Sequence, residues 1–400
     1  MAEDLAQLKF VRSADVYKSG VLAGHLERTE RGSVVFSYAP DYFASGASPV
    51  ASSLPFTHDP VESPNGGLPA FFAGLLPEGH RLTVLKDAVK TSLADELSLL
   101  LAVGADVPGD VQIVPAGEPP LEPAPLANTS RPEDLDFTAL ADAVDLHGLP
   151  GVQSKASASM LTTALALAGR RYLLKLDPPL HRHLVANEAA HLTAARGLKI
   201  PVAAHSVVRD RQGLPGLLVE RFDRIQNDDG GDVVRRVPLE DAAQVMNLPP
   251  ASKYAVSSED VVLALAGLCK ARPVAVRNLY LQFVFAWLTG NGDLHAKNVS
   301  VLARPHSGWA VAPMYDIPCT LLYGDDTMAL TVDGRVKALK ARHWQEFAAA
   351  IGLPQRAAVA ANAVALAAAS AIHLEELPFT GSPLNGAVRE LRFRRAELTD

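Results

Sequence analysis

The chain has 400 residues, of which 48% are hydrophobic and 20% charged, as in a globular protein large enough for two or three packed units. Its formal net charge of −7 argues against a protein that coats nucleic acid. Two cysteines, Cys269 and Cys319, are too few for a disulfide framework and fit a reducing compartment. The chain starts without the apolar segment of a signal peptide, and no run approaches the ~20 apolar residues of a membrane span. We therefore expect a cytoplasmic protein that has no membrane partner.

A small α+β unit is expected over residues 1–116. Residues 5–45 alternate apolar and polar side chains between glycines, which is typical of short antiparallel strands, and helical periodicity follows from residue 70 to residue 101. Residues 117–132 contain five prolines, which block both helix and ladder hydrogen bonds. This segment is predicted to be a linker and is the best domain boundary in the chain.

A β-rich lobe is expected over residues 133–238 and a helical lobe over residues 239–400. A β-rich lobe followed by a helical one is typical of a two-lobed nucleotide-binding enzyme. The elements predicted in the first lobe are strands at 171–176, 205–209 and 216–222 and a helix at 184–195; in the second they are a buried helix at 278–290, a strand pair at 299–303 and 309–312, and two closing alanine-rich helices at 343–351 and 355–374.

The loop after the buried helix has the residue types that phosphoryl transfer needs, which are a group that positions the nucleophile and a ligand for the metal on the phosphates. Asp293 and Asn298 have the spacing of protein-kinase catalytic loops. Asp293 is the candidate base or orienting acceptor, and the amide oxygen of Asn298 is a candidate metal ligand. His295 and Lys297 lie between them and could contact phosphates. The alternative is a polar turn capped by Asp and Asn.

Two further positions fit the same chemistry. Asp316 follows the predicted strand pair, where a second metal ligand belongs, although a simple turn before Pro318 is the alternative. Lys175 lies on a predicted strand, and Glu188 follows at the start of a helix. A strand lysine paired with a helix glutamate positions phosphates in kinases, whereas a strand lysine can also just face solvent.

Two segments of the β-rich lobe are candidate nucleotide contacts. A glycine turn could offer backbone N–H groups and one cation to phosphates, but it matches neither the Walker pattern nor GxGxxG, so a plain turn remains open. Backbone groups of Glu220 and Phe222, on either side of Arg221, could pair with an adenine edge where the lobes would join. The alternative for that segment is an exposed ion-pair cluster of little energetic worth. The residues of the glycine turn are Pro150, Gly151, Val152, Gln153, Ser154 and Lys155.

The order of these segments along the chain resembles the HipA family of toxin serine/threonine kinases. The order is Gly-x-Gln-x-Lys, strand lysine, Asn-Glu helix, Glu-Arg-Phe-Asp-Arg, Asp-x-His-x-Lys-Asn and Tyr-Asp. The first unit resembles the family too, and the resemblance covers roughly residues 10–350. The further matching words are Ser53-Leu54-Pro55, Leu75-Leu76-Pro77-Glu78-Gly79, Leu99-Leu100 with residues 104–112, Ala243-Gln244 and Lys253-Tyr254.

The resemblance implies an α+β, two-lobed protein-kinase-like fold with a β-rich N-terminal lobe, an additional small N-terminal α+β unit and an all-α C-terminal lobe. It implies an ATP- and Mg²⁺-dependent serine/threonine kinase that is the toxin of a toxin–antitoxin module. Its substrate would be a cytoplasmic translation protein, which in the best-known members is glutamyl-tRNA synthetase, and its phosphorylation causes dormancy. The implied partner is a HipB-like helix-turn-helix antitoxin, through which operator DNA is contacted indirectly.

The resemblance also assigns roles to individual residues. The family's autophosphorylated serine lies three positions before the loop glycine, and this chain has Gly148 there, which has no hydroxyl. This member is therefore expected to lack that switch, unless Ser154, Ser157 or Ser159 serves. The implied roles are Asp293 as catalytic acceptor; Asn298 and Asp316 as magnesium ligands; Lys175 on the phosphates; Glu220, Arg221 and Phe222 around adenine; residues 150–155 as phosphate loop; and His295, Lys297 and Tyr315 in the nucleotide site.

Two other interpretations remain open from the sequence. A pseudokinase co-repressor would bind an antitoxin and DNA without catalysis, but the strand lysine, the acceptor aspartate, the asparagine and the second aspartate are all present. A small-molecule phosphotransferase of the aminoglycoside type shares the Asp-x-His loop, but the N-terminal unit gives that interpretation no support.

Overall fold

The computed structural model describes residues 2–63, 67–121, 127–128, 131–142, 161–167, 170–178, 180–226, 234–304 and 307–399. The candidate phosphate loop at residues 150–155 and Gly148 lie outside these ranges. The helices are α1 Ala2–Gln7, α2 Pro40–Ala44, α3 Ala70–Ala73, α4 Gly79–Val89, α5 Glu96–Val103, α6 Phe137–Asp142, α7 Leu184–Ala195, α8 Ala242–Val245, α9 Ser258–Leu268, α10 Arg272–Thr289, α11 Ala341–Ala350, α12 Gln355–Ser370 and α13 Gly381–Thr399. The strands are β1 Ser13–Lys18, β2 Val21–Arg28, β3 Val34–Tyr38, β4 Val61–Glu62, β5 Val111–Pro115, β6 Ala127–Asn128, β7 Leu161–Leu167, β8 Arg170–Leu176, β9 His205–Arg209, β10 Pro215–Glu220, β11 Arg224–Gln226, β12 Val234–Arg236, β13 Leu239–Asp241, β14 Ser300–Arg304 and β15 Gly308–Val311.

The N-terminal unit is a five-stranded antiparallel sheet, in the order β4-β3-β2-β1-β5, with helices packed on it. Its own hydrophobic core includes Phe36, Phe72 and Leu99. The prediction of strands from residue 5 was wrong at its start, because residues 2–7 form α1. These residues are mostly strong helix formers, and Leu5 packs against the core of the unit.

The N-terminal lobe is built on the sheet β6-β7-β8-β10-β9, in which β8 and β10 are antiparallel and pair Leu174 with Leu218. Helix α7 has the bounds that the sequence predicted. The carboxylate of Asp177 fixes its start by accepting hydrogen bonds from the backbone N–H groups of His183 and Val185, at 2.8 and 2.7 Å. These bonds satisfy N–H groups that the helix itself leaves unpaired.

The C-terminal lobe is built around α10, which is buried along most of its length and ends at Gly290 with φ +74°. The expectation of an all-α lobe is corrected here, because β13, β14 and β15 form an antiparallel sheet beside the helices, in which β14 and β15 are the strand pair predicted from the sequence. Three consecutive residues of β14, Ser300, Val301 and Leu302, are buried there. The sequence also missed α13, whose Arg394 lies 3.8 Å over the ring of Trp287. The many arginines and glutamates of α13 obscure the helical spacing of its apolar residues in the sequence.

One segment, Gln355–Glu376, is long and apolar enough to cross a membrane by length and composition, and 39% of it is buried in the fold. The expectation that no run approaches that length was therefore too strict. The alanines of α12 explain its apolar character, because Ala361, Ala365 and Ala369 are buried within the main hydrophobic core. The main core spans both lobes, from Leu184 of α7 to Leu398 of α13, so the lobes pack as one body.

Candidate active site

A cleft between the lobes collects most of the described candidate residues, with the N-terminal unit contributing part of its wall. The cleft is lined by Gly74, Leu75, Glu78 and Pro108 from the N-terminal unit; by Thr162, Leu173, Lys175, Val219, Glu220, Arg221, Phe222 and Asp223 from the N-terminal lobe; and by Leu239, Asp241, Gln244, Lys253, Asp293, His295, Lys297, Asn298, Ser300, Tyr315 and Asp316 from the C-terminal lobe.

The strand lysine lies at the centre of a three-membered ionic group. Lys175 on β8 donates to both carboxylate oxygens of Glu188 on α7, at 2.8 and 3.0 Å, and to Oδ1 of Asp316 at 2.8 Å. Burial alone would lower the pKa of Lys175, but Asp316 and Glu188 outweigh it and raise that pKa above its ordinary value. Lys175 therefore stays charged in the cleft, as a contact for phosphate groups requires.

The segment before and after Asp316 is fixed to the N-terminal lobe. The side chain of Asn187 on α7 donates to Cys319 O and accepts from Cys319 N, both at 2.9 Å. The backbone of Met314 pairs with the chain at Ala203, which donates to Met314 O at 2.9 Å. Asp316 itself has φ +55°, a left-handed conformation that aspartate tolerates better than most residues and that is common at functional sites.

The catalytic-loop candidate is a tight structure that begins where α10 ends. Gly292 is required there, because a Cβ atom would lie 2.5 Å from Thr327 O and 2.8 Å from Thr320 Oγ1. Asn291 Oδ1 accepts from the backbone N–H of Asp293 at 2.7 Å. The amide nitrogen of Asn298 donates to Asp293 O at 2.9 Å, which closes the loop. The five-residue spacing between Asp293 and Asn298 therefore lets the loop fold back on itself, and both side chains line the cleft.

The carboxylate of Asp293 is buried, with 1% of the residue exposed, and Oδ1 accepts from the hydroxyl of Tyr254 at 2.9 Å. The ring of His295 lies edge-on to the ring of Tyr254 with centroids 5.0 Å apart. Burial, and then the charge of Asp293, raise the pKa of Tyr254 above its ordinary value, so the phenol remains a donor. A second tyrosine, Tyr315, donates to Lys297 O at 3.0 Å. Both tyrosines thus hold the loop from its two sides.

The donor set of the cleft fits a magnesium ion. Asn298 uses its amide nitrogen within the loop, which leaves its amide oxygen as the donor atom, and Asp316 offers a carboxylate. Mg²⁺ prefers such oxygen ligands and completes its octahedron with water and substrate phosphates. Within the described ranges there is no group of three or more His, Cys, Asp or Glu residues for a metal held by protein ligands alone.

Two aromatic rings lie near the point where the lobes join. The backbone N–H groups of Glu220 and Arg221 complete the sheet by donating to Ala204 O and Arg171 O, at 2.8 and 2.9 Å. Phe222 lies beside Tyr315 with ring centroids 5.7 Å apart and ring planes tilted by 44°. Aromatic side chains that line a cleft suit a planar heterocycle such as adenine.

The side chain of Arg221 belongs to a buried group that we call the hinge cluster, formed by Asp106, Arg221, Asp223 and Arg224. Arg221 donates to Asp106 at 2.7 Å and to Asp223 at 3.0 Å, and Arg224 donates to the same two carboxylates at 2.6 and 2.7 Å. At most 6% of each residue is exposed. The alternative of an exposed ion-pair cluster was therefore wrong, because a loop of the N-terminal unit covers it and accepts from Arg224 through Gly109 O.

A second buried group, which sequence reasoning missed, we call the loop cluster: Glu78, Lys253 and Lys297. The carboxylate of Glu78 forms ion pairs with the ammonium groups of Lys253 and Lys297, with N–O distances of 2.5 and 2.9 Å. Lys297 also donates to Gly74 O at 3.0 Å. The ammonium of Lys297, expected from its position to contact phosphates, is thus bound to the N-terminal unit. The available signal was a glutamate two positions after the apolar run from Phe71 to Leu76 and a lysine beside Tyr254.

Known proteins resemble this chain over most of its length. The profile described as HipA-like C-terminal domain matches residues 147–372, and the profile of the HipA N-terminal domain matches residues 14–114. The chain is 33% identical over 376 residues to Y4mE of Sinorhizobium fredii, covering 86% of this chain and 87% of that protein. It is 28% identical over 348 residues to the serine/threonine-protein kinase toxin HipA of Shewanella oneidensis, covering 80% of this chain and 78% of that protein.

A solved structure shares the fold. It is the complex of Shewanella oneidensis HipA, HipB and operator DNA, with a TM-score of 0.74 and 21% identity over 96% of this chain and 95% of that one. The predicted α+β kinase-like fold is confirmed by this match. Since family profiles match most of the chain and a relative is one-third identical over nearly its whole length, this chain belongs to the HipA family of serine/threonine kinase toxins.

Proposed function

We propose that the protein is an ATP- and magnesium-dependent serine/threonine protein kinase. The observation that supports it best is the position of Lys175, bonded to Glu188 and Asp316 in the same cleft as Asp293. A phosphate-positioning cation, a metal-binding carboxylate and an acceptor for a hydroxyl proton are the parts that phosphoryl transfer requires.

Asp293 serves as the orienting acceptor in this proposal. The hydroxyl oxygen of the substrate attacks the γ-phosphorus, the bond to the β-phosphate oxygen breaks, ADP leaves and the hydroxyl proton passes to the carboxylate of Asp293. Tyr254 holds that carboxylate at 2.9 Å, and Asn298 holds its backbone carbonyl at 2.9 Å. A carboxylate fixed in this way places its oxygen before the reaction rather than during it.

Lys175 would bind phosphate oxygens, and Glu188 keeps its ammonium in place. Magnesium, held by Asn298 and Asp316, would supply charge neutralisation of the β- and γ-phosphates. Glu220, Phe222 and Tyr315 would surround adenine. Residues 150–155 remain the candidate phosphate loop, His295 lies beside Tyr254 next to the acceptor, and Arg221 supports the hinge through its ion pairs.

The protein is further proposed to be the cytoplasmic toxin of a HipBA-like module. A relative of the same fold was solved with HipB and operator DNA, which supports a HipB-like helix-turn-helix antitoxin as partner and contact with DNA through it. A translation protein, such as an aminoacyl-tRNA synthetase of the glutamyl type, is the proposed substrate, supported by family membership. The proposal predicts that a neighbouring reading frame encodes a short helix-turn-helix protein and that its co-expression with this chain yields a stable complex. Separate elution of the two would contradict this partner.

Gly148 stands at the position of the family's regulatory serine, so phosphorylation should not occur there. Mass spectrometry of protein incubated with magnesium and ATP should find residue 148 unmodified and no loss of activity with time. Self-inactivation together with a phosphorylated Ser154, Ser157 or Ser159 would show that a neighbouring serine has taken over the switch.

The test of kinase activity is transfer of radiolabelled γ-phosphate to protein substrates in a lysate. Asp293→Asn should lower the transfer rate by at least about 100-fold, the usual contribution of a positioned base. Asp15→Asn is the matched control, since Asp15 is a buried aspartate paired with His25 at 2.8 Å in the N-terminal sheet. Equal transfer by wild type and Asp293→Asn would refute the assigned role, and no transfer by wild type would refute the kinase proposal.

A further inference from the structure

The loop cluster joins two parts of the molecule that are far apart in the chain. Glu78 belongs to the N-terminal unit, and its bonds to Lys253 and Lys297 span 175 and 219 residues by number. The three side chains are almost completely buried, with 8%, 1% and 4% of each residue exposed. A carboxylate with two ammonium partners at this depth is a strong link, because each of its partners would be costly to leave unpaired.

Both lysines lead directly to the proposed catalytic residues. The backbone carbonyl of Lys253 accepts from Ala296 N at 3.2 Å, and the next residue, Tyr254, donates to Asp293 Oδ1 at 2.9 Å. The backbone N–H of Lys297 donates to the ring of His295 at 3.2 Å. Glu78 is therefore linked through Lys253 and Lys297 to the loop at Ala296 and Lys297, and through Tyr254, the neighbour of Lys253, to Asp293.

The charges explain why a carboxylate is needed at this place. Two buried ammonium groups lie near Asp293 and Asp241, and a lysine without its own partner would turn toward those carboxylates. Burial alone would raise the pKa of Glu78, but Lys297 and Lys253 together lower it below its ordinary value, so the carboxylate stays ionised. Glu78 thus holds both cations in place at the cleft wall.

We infer that Glu78 is a positioning residue for phosphoryl transfer, and that the N-terminal unit is therefore part of the catalytic apparatus. Glu78 acts through Lys253 on Tyr254 and through Lys297 on His295, and it does not touch the reacting atoms. This role rests on the proposed kinase function. It assigns to the segment at residues 74–78 a purpose beyond packing the N-terminal unit against the lobes.

The test compares full-length Glu78→Gln and Glu78→Asp with wild type. Glu78→Gln keeps the size but removes the charge, and kcat should fall roughly 10- to 100-fold while KM for ATP changes less than about threefold. Glu78→Asp retains the charge and should recover most of kcat. Ser52→Ala is the matched control, because Ser52 bonds Glu240 across the same two parts of the molecule without touching the loop. Its kcat should equal that of wild type.

Hydrogen exchange of the peptide covering residues 291–299 gives a readout that needs no activity. Glu78→Gln should speed exchange of the amides of His295 and Ala296, which are bonded to Asp293 O and Lys253 O, and Ser52→Ala should not. If Glu78→Gln proves unstable, the double variant with Lys297→Met removes the excess charge. That double variant should fold and still show low kcat and fast loop exchange.

The outcomes separate the two proposals. If wild type transfers phosphate and Glu78→Gln keeps its kcat within about twofold, the positioning role is overturned while the kinase remains. If wild type shows no transfer, the kinase proposal fails, and exchange in the loop still decides whether Glu78 holds it. Equal exchange in wild type and Glu78→Gln overturns the inference in either case.

Discussion

The hinge cluster and the loop cluster both fasten the N-terminal unit to the rest of the protein, yet they differ in their cations and in what they contact. The hinge cluster pairs arginines with Asp106 and Asp223 through planar, multiply bonded guanidinium groups, and Arg236 adds a third cation 3.5 Å from Asp106. The loop cluster pairs two flexible lysines with one glutamate, and all three residues line the cleft. We assign attachment to the rigid arginine cluster and a functional role to the cluster that includes Lys297 of the catalytic-loop candidate.

The largest effect is expected on the free energy of unfolding when the hinge cluster is broken. Asp106→Ala leaves Arg221 and Arg224 to share Asp223 in a buried site. Removing one partner of a buried ionic group costs about 3–5 kcal/mol, and we expect a loss of that size in the free energy of unfolding. Urea denaturation measures it. Phosphate transfer per folded molecule should stay near the wild-type rate, and a selective loss of activity without loss of stability would contradict the division of roles.

An intermediate effect is expected in the loop cluster. Lys253→Met keeps Glu78 paired with Lys297, so the buried carboxylate is not left without a partner and stability should change by less than about 1 kcal/mol. The support of Tyr254 is weakened, and kcat should fall about tenfold, which corresponds to about 1.4 kcal/mol of transition-state free energy. Steady-state kinetics and urea denaturation of the same preparation decide this. A change in stability larger than the change in kcat would place the loop cluster in the same class as the hinge cluster.

The smallest effect concerns Asp241, which lines the cleft near Lys297. Burial raises the pKa of Asp241 to about 6, although Lys297 opposes this. The folded carboxyl therefore keeps its proton to a higher pH than the unfolded one, so its contribution destabilises the fold increasingly from about pH 4 to about pH 6 and stays constant above.

Asp241→Asn removes this titration. It keeps a side-chain oxygen that can accept from the backbone N–H of Gln244, as Asp241 Oδ1 does at 2.8 Å in the wild type. The free energy of unfolding should rise at pH 7.5, by at most the roughly 3 kcal/mol that a shift of two pKa units represents, and stay nearly unchanged at pH 4. Urea denaturation at the two pH values measures the difference. An equal gain at both pH values would show that the effect comes from packing and not from the charge of Asp241.

Sequence reasoning placed the local parts of the site and missed the contacts that join its units. The bounds of α7 followed from helical spacing, and Lys175 and Glu188, which were expected to pair, lie 2.8 Å apart. The two ionic clusters could not be predicted, because each joins a carboxylate of the N-terminal unit to cations more than 100 residues later in the chain. A segment such as Glu220–Arg224 is charged in sequence whether it is exposed or buried under another unit.

Binding of ATP together with magnesium in the cleft is the central claim about this protein, and calorimetric titration measures that binding most directly. Wild type should bind ATP in the presence of magnesium and at least about tenfold more weakly in its absence, and Asp316→Asn should lose this magnesium dependence. Asp106 and Asp15 variants should keep it. ATP binding that is equally tight with and without magnesium, or no ATP binding by wild type, would contradict the account and favour a protein that binds partners without catalysis.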